Sequence, residues 1–427
     1  MNSAEMLEYI KRGSLDARLS EIYPTASLDA VRARYLSLLG EFTALYGEER
    51  EVSLFSVPGR SELSGNHTDH NRGCVIAASV DLDIIAVAAK RDDLTVNLKS
   101  EGFPEDSVNL SEYTAPDPSL FGSSASIIAG VCAGFTKAGY AIGGFDAYTT
   151  SSVPGGSGLS SSAAFENMIG TILSHAYNAG NIDNVEIAKI SQYAENVFFG
   201  KPCGLMDQIA CAVGGIVAID FGNPEAPMVE PIPFDISDRG YALCIVSTGG
   251  SHADLTDDYA AIPKEMKSAA GALGTEVLRG TTEEELITAI PALRARVGDR
   301  AILRALHFFE ENRRVAAQKQ ALSNGDLDSF LSLVRESGRS SFCYLQNVYT
   351  PKHPTDQGVS LALCLAEIYL RDKRAAWRVH GGGFAGTIQV LLPKDEADAF
   401  KNMMDAALGK ESTKILHVRS SGASKVI

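Results

Sequence analysis

The sequence predicts an α+β protein of more than one domain, and three observations carry that reading. Its 427 residues are enough for two or three domains. Strand-like and helical patterns come in mixed order along the chain. The turn-rich stretch FGNPEAPMVEPIPFD (221–235) separates two such mixed blocks. Apolar residues make up 45% and charged residues 21% of the chain, the composition of an ordinary soluble protein rather than a disordered one.

Leu28, Val31, Tyr35, Leu38, Leu39, Phe42 and Leu45 recur at helical spacing, so residues 1–50 read as a helical N-terminal extension. VSLFSVPG (52–59) follows as a strand breaking at proline, CVIAASV and IIAVAAK within 74–90 read as two more strands, and the Gly/Ala-rich 122–139 reads as a helix. AYTTSSVP (147–154) is β-branched and then halted by proline, whereas AAFENMIGTILSHAYN (163–178) returns to helical periodicity. Beyond the turn-rich stretch, YALCIVS (241–247) opens the second half as a strand. Helical patterns then occupy 300–320, 328–345 and 356–370, and TIQVLLP (387–393) is a strand. The expected division is an extension over 1–50 and domains over 51–225 and 226–427.

A net charge of −15 and a pI near 5.0 argue against nucleic-acid binding and against a polybasic membrane surface, since either needs a positive field. An anionic ligand would have to be held by local groups. The seven cysteines, at 74, 132, 203, 211, 244, 343 and 364, contain no CxxC pair. That spacing suits reduced thiols in a cytoplasm better than a disulfide framework or a zinc site. MNSAEMLEYIKRG has no apolar signal core, and Asp81 and Asp83 interrupt the apolar run of 74–89, so neither export nor a membrane span is expected. Nothing in the sequence sets an oligomeric state, and a monomer is compatible with it.

Four stretches carry chemistry. SSVPGGSGLSSSAAFE (151–166) joins a strand to a helix start, where unpaired backbone N–H groups and the positive end of the helix dipole can cradle phosphate. Taken alone, it is equally a capped helix with a flexible entry. It lacks the G-x-x-x-x-G-K-[ST] pattern and the third glycine of a dinucleotide turn, and no H-R-D or D-F-G occurs in the chain. VPGRSELSGNHTDHNRGCVI (57–76) concentrates Arg60, Glu62, Asn66, His67, Asp69 and His70 between apparent strands, a polar density unsuited to a core. VHGGGFAGTIQVLLP (379–393) places Gly381 to Gly383 before a strand; an oxyanion loop would need a G-x-S-x-G nucleophile that the chain does not contain. FFGKPCGLMDQIACAVGG (198–215) is the fourth.

In this order, the four stretches resemble the signature motifs of the GHMP small-molecule kinases, and among them the galactokinases. The matching patterns are G-R-x-N-L-I-G-E-H-T-D-Y-N, P-x-G-x-G-L-S-S-S-A-A, G-x-x-C-G-x-M-D-Q and G-G-G-F-G-G. The resemblance implies a ribosomal-protein-S5-like N-terminal domain, a ferredoxin-like C-terminal domain, and transfer of the ATP γ-phosphoryl group to the anomeric hydroxyl of a hexose. It implies ATP and Mg²⁺ as cofactor and ion, and a small-molecule sugar as partner. By motif position, Asp207 corresponds to the general base and Arg60 to the arginine beside it. A buried structural Asp–Arg pair is the alternative for those two residues.

Pro154, Gly155, Gly156, Ser157, Gly158, Leu159, Ser160, Ser161 and Ser162 correspond to the ATP loop. Ser162 is the expected magnesium ligand, with Ser161 as the alternative, and Glu195 completes the pair; unaided, Glu195 would read as a solvated helix residue. The implied sugar contacts are Asn66, His67, Asp69, the backbone at Gly204, and Tyr259, which could equally be a half-buried aromatic on a helix. His67 and His70 lack the further ligands that a metal site needs. Departures from the patterns are Asn66 for glutamate, His70 for tyrosine, ELS for N-L-I, and Ala385 for glycine. A neutral amide at the C6 end of the sugar would remove a carboxylate's repulsion of an anionic group, which leaves open a C6-altered sugar such as galacturonate. A non-catalytic ATP- and sugar-sensing protein of the same fold is the other alternative.

Overall fold

The computed structural model describes residues 1–427 except 113–114, 156–157 and 251–254. Three helices come first: α1 (Ser3–Lys11), α2 (Asp16–Ile22) and α3 (Leu28–Tyr46). The first mixed block then runs β1 (Ser53–Ser64), β2 (Cys74–Lys90), β3 (Thr95–Ser100), β4 (Glu105–Asn109), α4 (Ser124–Lys137), β5 (Phe145–Ser151), α5 (Ser161–Tyr177) and α6 (Asn184–Tyr193). A π-helical turn (Ala194–Phe199), α7 (Met206–Val213), β6 (Ile216–Asp220) and β7 (Met228–Ile232) complete it. The second block is β8 (Tyr241–Ser247), α8 (Thr256–Ala272), α9 (Glu283–Val297), α10 (Asp299–Ser323), α11 (Leu327–Ser340), α12 (Gly358–Leu370), β9 (Ala376–His380), β10 (Thr387–Pro393), α13 (Lys394–Leu408), β11 (Thr413–Leu416) and β12 (Ser424–Lys425).

The first sheet has the order β12-β1-β2-β5-β3-β4, with β6 on the other half of β2 and β7 on β6; only β3–β5 is parallel. Successive residues of its central strands point to opposite faces, and both faces are covered. Phe55, Val57, Ile84, Ala86 and Ala88 pack under α4 and α5, whereas Leu54, Ile85, Val87 and Tyr148 pack under α1, α2 and α3. Residues 1–50 are therefore a structural layer of the first domain, which corrects the expectation of an extension. The second sheet, β11-β8-β10-β9, turns Ala242, Cys244 and Val246 toward α12 and α13. Its other face, with Leu243 and Ile245, meets Leu63, Ile76 and Ile216 of the first sheet in one shared core.

Two further expectations change. The runs at 74–90 form one strand of 17 residues, because both aspartates within it have partners. Asp81 accepts the His417 N–H at 3.0 Å, and Asp83 accepts from Tyr23 and Ser56 at 2.5 Å, from Arg419 at 2.9 Å, and from Arg34. The expected boundary at 225/226 is also crossed: β7 belongs to the first sheet, and the C-terminal β12 returns to pair with β1. Among the described residues, no helix is long and apolar enough to cross a membrane.

Burial pushes the Asp83 carboxyl up, but the Arg34 and Arg419 charges and its hydrogen bonds outweigh burial and hold it below the usual aspartate range. Replacing it strands the buried Arg419 guanidinium. Asp83→Ala is expected to cost about 3–5 kcal/mol, read as a lower urea midpoint. Because the folded value is depressed, the Asp83 contribution is complete above the ordinary aspartate pKa of about 4 and fades as pH falls below it, so the gap between parent and variant should narrow in acid.

Candidate active site

Three chain segments converge on a cavity of about 300 Å³ lined by Arg60, Glu62, His67, Asp69, His70, Lys201, Gly204, Asp207 and Gly382, among others. The C-terminal half of β1 delivers Arg60, which is only 6% exposed. Asp207 enters from the first turn of α7, where the helix dipole favours a negative charge. The two form a bidentate pair, Arg60 Nε donating to Asp207 Oδ1 at 2.7 Å and Nη2 to Oδ2 at 2.5 Å. Ser160 donates its hydroxyl to Asp207 Oδ2, and Arg60 Nη1 donates to the Gly158 carbonyl. With the Arg60 N–H on Leu159 O at 3.1 Å, the glycine-rich loop is stitched to both members of the pair.

The Asp207 side chain is one-third exposed. Burial pushes its carboxyl up, yet the Arg60 charge and hydrogen bonds, then the Ser160 hydroxyl, hold it below the usual carboxylate range. It is ionised at neutral pH. A carboxylate has about four acceptor positions. Three are used here, which leaves one for an incoming hydroxyl.

Within the loop, Gly158 has φ +72° and Ser160 takes the left-handed conformation with φ 56° and ψ 59°, an uncommon state for serine that turns its hydroxyl to Asp207. Gly156 and Ser157 lie outside the described residues. Helix α5 begins at Ser161, so the loop opens directly onto a helix N-terminus. Ser162 is exposed at that start, and one turn along the same face lies the fully buried Glu166. Gln208 Nε2 bridges Glu166 Oε2 at 3.0 Å and Glu195 Oε2 at 2.9 Å. Glu195, in the π-helical turn, is thereby buried and directed inward rather than solvated. Burial, and then the neighbouring Glu195 charge, push the Glu166 carboxyl well above the usual glutamate range.

On the opposite side, Asp69 sits in a short 3₁₀ turn after β1, its Oδ1 accepting the His70 N–H at 2.9 Å. Asp69 Oδ2 lies so close to Gly204 that any Cβ there would collide with it, which explains a glycine at 204. His67 lines the cavity with its Nε2 3.0 Å from Gly382 O, and burial together with His70 pushes its pKa down. His380, behind Arg60, is likewise pushed down to about 3 by burial and then by Arg60 and Arg378. Both rings are neutral at physiological pH.

Two expected sugar contacts are not brought to the cavity. Tyr259 stands behind the triple glycine, its hydroxyl donating to Gly383 O at 2.9 Å and its ring edge-on to Phe384 at 5.4 Å. Asn66 is fully buried. Its Nδ2 donates to Glu62 Oε1 at 3.1 Å and Gly381 O at 2.7 Å, while Oδ1 accepts from Asn347 at 2.8 Å and Ser341 at 3.3 Å. With both N–H bonds and both lone pairs engaged, the amide has nothing left for a sugar hydroxyl. This corrects the reading of Asn66 as the residue facing C6.

Comparison with known proteins agrees with this geometry. Residues 126–215 match the GHMP kinases N terminal domain, and residues 40–90 match the galactokinase galactose-binding signature. The chain is 30% identical to the galactokinase of Streptomyces coelicolor over 395 residues, which covers 90% of this chain and 97% of that protein. It belongs to the galactokinase family. Human galactokinase is 32% identical over 392 residues, covering 90% and 94% of the two chains. The crystal structure of Lactococcus lactis galactokinase complexed with galactose superposes with a TM-score of 0.75 at 26% identity, over 90% of this chain and 98% of that one. Methanococcus jannaschii mevalonate kinase shares the fold, with a TM-score of 0.61 at 16% identity over 87% and 99% of the two chains.

Against the galactokinase pattern G-R-x-N-L-I-G-E-H, the departures at Glu62 and Asn66 become a single event. Asparagine and glutamate have exchanged places across one hydrogen bond, and Arg378, fully buried, pairs with the relocated carboxylate at 2.9 Å. Sequence reading noted both residues but missed their contact, and it missed Glu166, Gln208 and Arg378. The spacing of Ser162 and Glu166 on one helix face was the only available signal for Glu166. A single Asn66→Glu substitution sets a second carboxylate against Glu62 and the Gly381 carbonyl. The expected cost is about 3 kcal/mol of stability, seen as a lower melting temperature, and adding Glu62→Gln should recover most of it by restoring an amide–carboxylate pair.

Proposed function

We propose that this chain is an ATP-dependent sugar 1-kinase acting on galactose. The observation that carries the reading is the bidentate Arg60–Asp207 pair with Ser160 on its outer oxygen, because it puts an ionised carboxylate with one acceptor position open into the cavity. Membership of the galactokinase family and the matched galactose-binding signature support galactose as the hexose. The buried Asn66 removes the feature that pointed to a C6-altered sugar.

In this reading the sugar lies in the cavity against Asp69 and the backbone at Gly204, and its anomeric hydroxyl donates to Asp207. The triphosphate lies along the loop from Pro154 to Ser162, against the N-terminus of α5. The sugar oxygen attacks the γ-phosphorus, the bond from that phosphorus to the ADP bridging oxygen breaks, and the hydroxyl proton passes to Asp207. Depression of the Asp207 pKa makes it a weak base, so its main contribution is to orient the hydroxyl and take a proton late. Arg60 keeps the carboxylate ionised and adds positive charge beside the transferred group.

The residues fit a magnesium ion. Glu195 offers a buried carboxylate and Ser162 an exposed hydroxyl at the start of α5, and Glu166, one turn on from Ser162, is tied to Glu195 through Gln208. Bound there, the ion would offset the charge of the phosphates. The seven free thiols suit a reducing, cytoplasmic setting, and the ligands in this reading are small molecules.

An ADP-release assay over a panel of hexoses and uronic acids tests the reading. Galactose is expected to give the highest kcat/KM, with Asp207→Asn about 10²- to 10⁴-fold slower while ATP still binds. Preference for a uronic acid, or no turnover with any sugar despite ATP and sugar binding, would replace it by one of the two alternatives. The pH profile supplies a second test. The base works ionised, so activity falls as pH drops through its pKa, and the parental acid limb should lie below about 4. Arg60→Met leaves burial unopposed and should move that limb upward, whereas Arg60→Lys should leave it nearer its parental place.

A further inference from the structure

Lys201 occupies an open position of the G-x-x-C-G-x-M-D-Q pattern, and the reaction described above makes no use of it. Its side chain is 64% exposed and lines the same cavity as Arg60, Asp69 and Asp207. Its Nζ lies 3.1 Å from Glu195 Oε1, and its peptide N–H donates to the Glu195 carbonyl at 3.1 Å, so the side chain starts beside that carboxylate. Two ion pairs therefore border the site, and they differ in kind. Arg60 is buried and bound to Asp207, to Gly158 and, through its backbone, to Leu159. Lys201 is a compact charge on a flexible stem with one side-chain partner. Glu195 Oε2 is committed to Gln208, which leaves Oε1 as the oxygen able to change partners.

We propose that Lys201 is a further catalytic cation, which leaves Glu195 for the transferred phosphoryl group when a divalent ion takes that carboxylate. The proposal rests on the reading of Glu195 as a metal-holding residue. Two cations cannot share one carboxylate oxygen without strong mutual repulsion, so ion binding and Lys201 binding at Glu195 oppose each other. The lysine end of this pair is exposed while the carboxylate is buried, so the ammonium can exchange Glu195 for water or phosphate once an ion has taken over the carboxylate charge. The released ammonium stays on the cavity wall near Asp207. As the sugar oxygen–phosphorus bond forms, the phosphorus–ADP bond breaks and the proton moves to Asp207, negative charge gathers on the phosphoryl oxygens. Lys201 can donate to one of them, whereas the side-chain nitrogens of Arg60 are already engaged by Asp207 and Gly158. Asp207 also favours the charged form of Lys201, once burial and the larger effect of Glu195 are counted.

The experiment compares Lys201→Met, Lys201→Arg and Glu195→Gln with the parent. It measures kcat, the sugar KM, and Mn²⁺ affinity of the ADP complex by electron paramagnetic resonance. Lys201→Met is expected to lower kcat about 10- to 100-fold with the sugar KM nearly unchanged. It should also tighten Mn²⁺ about 3- to 10-fold, because its competitor for Glu195 is gone. Lys201→Arg should restore most of kcat. Glu195→Gln should weaken Mn²⁺ by about tenfold or more. A Lys201→Met enzyme with parental kcat, or with unchanged Mn²⁺ affinity while Glu195→Gln weakens it, overturns the proposal. Unchanged Mn²⁺ affinity in Glu195→Gln overturns the reading of Glu195, and the proposal with it.

Discussion

Everything at this site depends on one ion pair, a buried guanidinium bound to a partly exposed carboxylate. Arg60 and Asp207 lie 147 residues apart, one near the end of a strand and the other in the first turn of a helix. Taking a guanidinium and a carboxylate out of water costs several kcal/mol each, and only near-complete hydrogen bonding offsets it. Here part of that bonding comes not from other core side chains but from the glycine-rich loop, through Gly158 O on Arg60 and the Ser160 hydroxyl on Asp207. The same bonds that make the pair tolerable thus place the loop beside the carboxylate. A chain that folds correctly has already oriented Asp207.

The two ends of the cavity are built with different stiffness. On the sugar side, the signature segment is held by a buried polar network. Asn66 is fully bonded to Glu62, Gly381, Asn347 and Ser341; His307 reaches the Asn66 carbonyl at 2.9 Å; and Glu311 takes the Gly65 N–H at 3.2 Å. Arg378 neutralises Glu62 and also donates to Leu63 O at 3.0 Å. Such a network is costly if left incomplete, which favours one geometry. Around the glycine-rich loop the described residues include more exposed groups: a serine in a left-handed conformation, a helix start with an exposed hydroxyl, and a lysine on a carboxylate. Rigid recognition of a small sugar and an adaptable grip on a charged group suit the two substrates of a phosphoryl transfer.

Much of the secondary structure was legible from periodicity. Strand Tyr241–Ser247, the helix from Ser161, and the helices near 300–320 and 356–370 follow from apolar spacing and from turn residues, which act locally. The long strand of 74–90 was not legible, because Asp81 and Asp83 look like breakers until His417, Arg34 and Arg419 arrive from the far ends of the chain. Nor was the layer of α1, α2 and α3, whose helices could be read but whose burial against Leu54, Ile85 and Val87 could not.

By itself, the sequence determined the motifs and their order, and with them the family, the Arg60 and Asp207 positions that the fold pairs, and the loop that opens onto a helix. Those features are local patterns of residue type, and residue type is what a sequence records. Which way each side chain turns was decided only by the tertiary structure. Asn66 matches a sugar-reading position by motif, yet its amide is turned inward by neighbouring Glu62 and by Asn347 and the Gly381 carbonyl, the last two from distant segments. Glu195 looks solvated on its helix, yet it is buried by a glutamine thirteen residues on and met at the surface by Lys201. Orientation depends on partners that are remote in the chain, and only folding brings those partners together.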